Sequence, residues 1–168
     1  MRTQSLFLIL TILFFSCTEE KRPPFKMPEN AVKLIAGDSV KVWKLAKRTN
    51  NNVRMNMGDC FLSYRVTYKT DSMMHDNNGA YRDCGETLTA QWKLHKNEED
   101  ESFIRLESEQ LKLLMNLDVD YKYFKILDLT EEQLVLQFRH KQFSSKATTI
   151  VDVLVPEDVS IKDRDFHW

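Results

Sequence analysis

Met55 and Met57 in RMNMGDC, with Met73, Met74 and His75 in SMMHD, bracket one half-apolar stretch of this 168-residue sequence. Thioether sulfurs beside an imidazole are the soft ligands that select Cu(I), and a hairpin would bring Met57 near Met73 or Met74. Methionine also fills gaps in cores and loops for packing reasons alone. That plainer use serves all of these residues, so Cu(I) binding stands as the least favoured of three readings and no metal ligand is assigned. His95, His140 and His167 have no partner at ligand spacing. The sequence holds no HExxH, GxSxG, P-loop or GxGxxG motif. Its 25 Asp and Glu fall mostly on polar faces and in turns, and no two stand out as an acid and a base. The expectation is a protein without catalytic residues and without a cofactor.

The three cysteines carry more information. Leu6 to Phe15 (LFLILTILFF) is an apolar run interrupted only by Thr11, preceded by Met1-Arg2 and followed by Ser16-Cys17. A helix needs roughly 20 apolar residues to cross a bilayer, so this run suits the core of a signal peptide. The run ending in Ser16-Cys17 resembles the lipobox of bacterial lipoproteins, with Phe14 where that pattern usually has Leu. The resemblance implies a signal peptide over 1–16 and a mature chain that begins at a lipidated Cys17, carrying acyl chains such as palmitate. Each buried methylene contributes about 0.8 kcal/mol, and two chains already anchor stably. The chain is then expected in the cell envelope, anchored to the outer membrane and facing the periplasm or the surface. In that oxidising compartment the two remaining thiols, Cys60 and Cys84, are expected to pair. A loop of about 25 residues gives roughly 3 to 3.5 kcal/mol in the chain-entropy account.

Charge excludes one partner class. The 24 Lys and Arg, less Arg2 in the signal peptide, stand against 25 Asp and Glu, a net charge of −2 for the mature chain. Nucleic-acid binders are usually strongly basic, and no basic stripe interleaved with aromatics is present.

Positioning falls to β-strands. Residues 17–37 are charged and hold three of the four prolines, Pro23, Pro24 and Pro28. They read as the lipidated Cys and a flexible tether, with one helical turn at Ala31 to Ile35 a weak option. From 38 to 156 the dominant period is two, the spacing of half-buried strands. Leu62, Tyr64, Val66 and Tyr68 alternate with polar residues, as do Leu88, Ala90, Trp92 and Leu94. Leu134, Leu136 and Phe138 share one face, and Thr149, Val151, Val153 and Val155 share another. SVKVWKLAK, DESFIRLES and DYKYFKILDLT are further strands; Asn51-Asn52, Asn77-Asn78-Gly79 and Leu129 to Glu132 are turns. At 110–117 the apolar residues fit spacings of two and of three to four, leaving strand and helix both open. Residues 157–168 form a charged tail. About seven to nine short strands in one domain imply an antiparallel sandwich or barrel, closed to remove its edges.

The strand order resembles that of bacterial lipocalin-like domains on small lipoproteins. The matching residues are Val42-Trp43-Lys44-Leu45 on the first strand, a Cys-bearing second strand over Asp59 to Tyr68, and the turn Asn78-Gly79-Ala80-Tyr81 with a second Cys. Gln91-Trp92-Lys93-Leu94 and the ending YFKILDLTEEQLVL at Tyr123 to Leu136 complete the match. The wider family's G-x-W becomes Lys41-Val42-Trp43 here. The resemblance implies an all-β, antiparallel lipocalin-like barrel of about eight strands. Such a barrel either fills with its own side chains or holds one small ligand, and the sequence leaves both open. In the first case the protein is an envelope module with a protein partner. In the second it binds a small apolar ligand, with Tyr64, Val66, Tyr68, Trp92, Leu94, Leu136 and Phe138 as candidate contacts. The closing Phe166-His167-Trp168 is similar to the terminal aromatic of outer-membrane barrels. Outward Lys44, Arg65, Lys69, Lys93 and Arg139 would each cost about 2 to 4 kcal/mol at a bilayer midplane, so a barrel with its outside in water is expected.

Overall fold

Alternation along the chain becomes one antiparallel sheet in the computed structural model, which describes residues 25–141 and 146–166. Its strands are β1 (Val40–Asn50), β2 (Val53–Arg54), β3 (Arg65–Lys69), β4 (Met73–Asp76), β5 (Thr89–Lys96), β6 (Ser102–Glu107), β7 (Tyr121–Leu129), β8 (Leu134–His140) and β9 (Thr148–Pro156). Three short α-helices accompany them among the described residues: α1 (Ala31–Ala36), α2 (Asp59–Ser63) and α3 (Gln110–Leu114). Apart from β2, a two-residue return on the end of β1, each strand pairs with the next in sequence, and β9 pairs back onto β1. Eight strands therefore close into an up-and-down barrel without free edges, the lipocalin-like architecture expected. Asn51 and Asn52 make the β1–β2 turn with φ of 46° and 66°, a left-handed pair that Asn tolerates well.

Register separates two ends. The start of β1, the end of β9 and the turns β3–β4, β5–β6 and β7–β8 lie at the base. The segments holding α2, residues 77–88 and α3 lie at the opposite end, the mouth. Apolar side chains point inward. Trp43, Leu45, Trp92, Ile104, Ile126 and Leu134 are buried within one core, while Lys93 and Arg139 on the outer faces are exposed. That is the reverse of a lipid-facing barrel.

The base is closed by a segment expected to be flexible tether. Ala31, Ile35 and Ala36 on α1 are buried, and Phe25 and Met27 pack on the same core. Gly37 ends the helix at φ 66°, its N–H donating to Lys33 O. Trp43 Nε1 donates to Ile35 O at 2.8 Å, fixing α1 over the barrel. The Lys in place of the wider family's Gly has its own function here. Lys41 Nζ sits 4.0 Å above the Trp43 ring and donates to Leu34 O and Glu131 O. The tether expected over 17–37 is thus anchored to the barrel from Phe25 onward. The signal peptide over 1–16, Cys17 and the remainder of the tether lie outside the described residues.

Two further expectations are corrected. The second strand does not begin at Asp59: Asp59–Ser63 is α2, with strand only from Arg65. Gly58 O accepts from Phe61 and Leu62 N–H, and Asp59 sits in the first turn, where a negative charge is favoured. Five residues are too few for periodicity to separate helix from strand. On β9 the inward residues are Ile150, Asp152 and Leu154 rather than the face of Thr149, Val151 and Val153. A charge inside the barrel inverts the apparent polarity of that strand. The tail over 157–166 also packs against the domain, Arg164 Nε donating to Leu45 O and Met57 N–H to Asp165 O; His167 and Trp168 lie outside the described residues. At 110–117 the helical spacing prevails, with Leu111 fully buried and Leu113 79% exposed.

A candidate ligand cavity in the barrel mouth

Inside the barrel lies a cavity of about 240 Å³. Tyr64, Val66, Tyr68, Leu136 and Phe138 line it, as the alternation of β3 and β8 places them. Trp92 and Leu94 do not. Both belong to the packed core, where Trp92 Nε1 donates to Lys69 O and its ring meets Tyr68 edge-on at 5.4 Å. Their inward direction on the strand was legible, but whether an inward side chain meets open space or its neighbours was not.

Over the mouth, the Cys60–Cys84 disulfide joins α2 to the 77–88 segment, with Cα atoms 5.2 Å apart. Both cysteines, Phe61 from α2 and Met115 just after α3 contribute to the rim. Asp76, 6% exposed, organises this loop: its carboxylate accepts from the N–H groups of Asn78 and Leu88 at 3.1 Å. Burial raises its pKa, partly offset by those two donors.

The cavity also holds polar groups that periodicity missed. A bulge between Leu45 and Lys47 on β1 changes the alternation and turns Arg48 inward, opposite Asp152. The guanidinium donates twice to the carboxylate, Nε to Oδ1 and Nη2 to Oδ2, both at 2.6 Å, and stacks 4.7 Å from the Phe61 ring. Burial alone would lower the Arg48 pKa, but the hydrogen bonds and charge of Asp152 hold it above its ordinary value. Tyr64 and Tyr68 are raised, first by burial and then by negative charge that includes Asp152, so their hydroxyls remain protonated donors. His140 is lowered, first by burial and then by the positive charges of Lys122 and Arg48. The signal for Asp152 was present in sequence as a lone acid inside IVDVLV; nothing comparable marked Arg48.

The methionine cluster is divided by the barrel wall. Met73 and Met74 are neighbours on β4, so their side chains leave opposite faces: Met74 is buried inside, and Met73 and His75 lie on the outer side. The arrangement offers no common point for a soft metal among Met73, Met74 and His75.

No protein-family model matches the chain, and no curated protein matches it. Among solved structures it is similar to the crystal structure of a lipocalin-like protein from Bacteroides uniformis ATCC 8492, at 13% identity and a TM-score of 0.46. That alignment covers 73% of this chain and 97% of the other. The lipocalin-like fold rests on the chain's own strand order, eight antiparallel strands in sequence closed by β9 on β1.

Proposed function

We propose that this chain is a membrane-tethered lipoprotein that holds a small apolar ligand inside its barrel. One observation carries the reading: a largely apolar cavity of about 240 Å³ lies inside the barrel. Concave apolar sites with a few placed polar groups are the usual form of small-molecule sites, and Arg48, Asp152 and the two tyrosines supply such groups. Calorimetric titration with 1-octanol should show saturable binding at one site. Val66→Phe, which places a ring in the cavity, is expected to abolish it while the protein still melts cooperatively. Unchanged octanol binding in the variant would move the activity out of the barrel.

A second reading has its own support. On the outer wall His95, Phe103, Tyr121 and Tyr123 form a continuous aromatic group, with centroid distances of 5.0 Å for His95–Tyr123 and 5.7 Å for Tyr121–Tyr123. The Arg105 guanidinium lies 4.8 Å above Tyr121. Tyr123 is exposed and the other three rings are half-buried; Tyr and Arg are enriched among binding hot spots, and this surface would serve an envelope protein partner.

Tethering follows from Ser16-Cys17 behind the apolar run. Cys17→Ala should shift the protein from the membrane to the soluble fraction and end incorporation of labelled palmitate. A wild-type chain that takes up no palmitate, or a variant that stays on the membrane, would contradict the anchor.

A further inference from the structure

Pairing between β7 and β8 stops short of the mouth. It runs from Leu129 opposite Leu134 to Lys125 opposite Gln137, although β7 begins at Tyr121 and β8 continues to His140. Both strands stay paired on their other sides, β7 with β6 as far as Tyr121 and β8 with β9 as far as His140. Over this unpaired part of the seam lies an open depression, distinct from the barrel cavity. Tyr121, Lys122 and Tyr123 line it from β7, and Phe138 and Arg139 from β8. The parted seam explains why Lys122 and Phe138, which alternation directs inward, border a depression shared with outward residues.

That depression is cationic. Lys122, Lys125 and Arg139 line it, and among the described residues its lining holds no Asp or Glu. Lys125 is compensated by an ion pair with Glu101. Arg139 Nη2 donates to Ala147 O at 3.3 Å, a neutral acceptor that leaves its charge in place. Lys122 is 7% exposed, and its buried Nζ has no hydrogen-bond partner among the described residues. Rings stand beside it instead, Phe138 at 5.2 Å and Phe124 at 5.8 Å. Burial lowers its pKa to about 8, so the amine is still mostly protonated at neutral pH. A buried ammonium without an acceptor is unfavourable, and an anion seated in the depression would supply one.

We propose that this depression binds a small aromatic phosphate monoester, its phosphate on Lys122 Nζ and the Arg139 guanidinium and its ring among Phe103, Tyr121 and Tyr123. Two uncompensated cations suit a dianion, and a phosphate monoester carries about −1.5 to −2 at pH 7. The guanidinium fork matches phosphate oxygens. Tyr123 already packs edge to face with Phe103 at 5.9 Å and with Tyr121 at 5.7 Å, and a planar ring extends such a group in the same geometry. The site does not depend on what the barrel interior binds.

Calorimetric titration of the full chain with phenyl phosphate tests this, with benzyl alcohol and inorganic phosphate as its two halves. Charge-assisted hydrogen bonds in a desolvated site correspond to about tenfold or more in affinity, and an aromatic pair to about threefold or more. Phenyl phosphate should bind saturably at one site, at least about tenfold tighter than benzyl alcohol and about threefold or more tighter than inorganic phosphate. Lys122→Met should weaken it at least about tenfold, and Lys122→Arg should retain part of the affinity. Arg139→Gln, at an exposed position, should weaken it about threefold or more. Val66→Phe, which fills the barrel cavity, should leave it unchanged. Absence of saturable binding, or wild-type affinity in Lys122→Met, would overturn the proposal. So would a loss in Val66→Phe, which would move the ligand into the barrel. Wild-type affinity in Arg139→Gln would overturn the dianion assignment, and that variant carries the test if Lys122→Met does not fold. Inorganic phosphate binding as tightly as phenyl phosphate would overturn the aromatic body.

Discussion

Asp152→Ala is expected to lower stability by about 3 to 5 kcal/mol, the usual cost of removing one partner of a buried ion pair. The side chains of Arg48 and Asp152 are 15% and 9% exposed, so solvent screens them little. With the carboxylate gone, the guanidinium would remain among Phe61, Phe138 and the tyrosines without an acceptor for Nε or Nη2. The loss comes from that stranded charge more than from the pair itself. A double variant, Arg48→Met with Asp152→Leu, should recover most of the stability because it removes both desolvation penalties together. Urea unfolding of the three proteins measures this directly. A loss below about 1 kcal/mol in Asp152→Ala would place the pair in the surface class. A double variant no more stable than the single one would locate the cost in packing.

The same pair explains where sequence reading stopped. Strands with clean alternation, such as Val66 and Tyr68 on β3 or Leu134 and Leu136 on β8, showed their inward faces, because burial selects apolar residues at every second position. An antiparallel sandwich or barrel and several of the cavity residues followed from that, and the resemblance in strand order pointed to the barrel. On β9 the regular face of Thr149, Val151 and Val153 is not the inner one, because Asp152 is polar yet inside, and its pairing with Arg48 depends on a bulge that no local pattern announces. Lys122 was hidden for the same reason: in DYKYFKILDL a lysine between two tyrosines reads as solvent-facing. α1 was underread because its three buried residues span only six positions, and a single turn has too little periodicity to compete with the prolines before it. What alternation conveys is apolarity by face. A binding site places polar groups on the apolar face, so it departs from the pattern by which faces are recognised.

Breaking the Cys60–Cys84 bond is the other large effect. The bond closes a loop with a sequence separation of 24, and its removal should cost roughly 3 kcal/mol through the added freedom of the unfolded chain. The consequence for the mouth is separate and follows from the folded state. α2 buries none of its residues fully and rests on β1, while much of the 77–88 segment is exposed. Asp76 holds only the ends of that segment, near Asn78 and Leu88. The disulfide is the covalent tie between them, and both its cysteines line the cavity. A Cys60→Ala, Cys84→Ala double variant should therefore unfold at lower urea. Its amides at 59–63 and 77–88 should also exchange hydrogen faster, while those of β6 and β7 keep their rank among the most protected. Octanol should dissociate faster from the variant than from the wild type, because the rim can open without crossing a covalent constraint. Wild-type exchange at 59–63 and 77–88 in the variant would mean that packing of Phe61 and the Asp76 hydrogen bonds already fix the mouth. In that case the bond would stabilise the fold only through the unfolded chain, and ligand release would be set elsewhere on the rim.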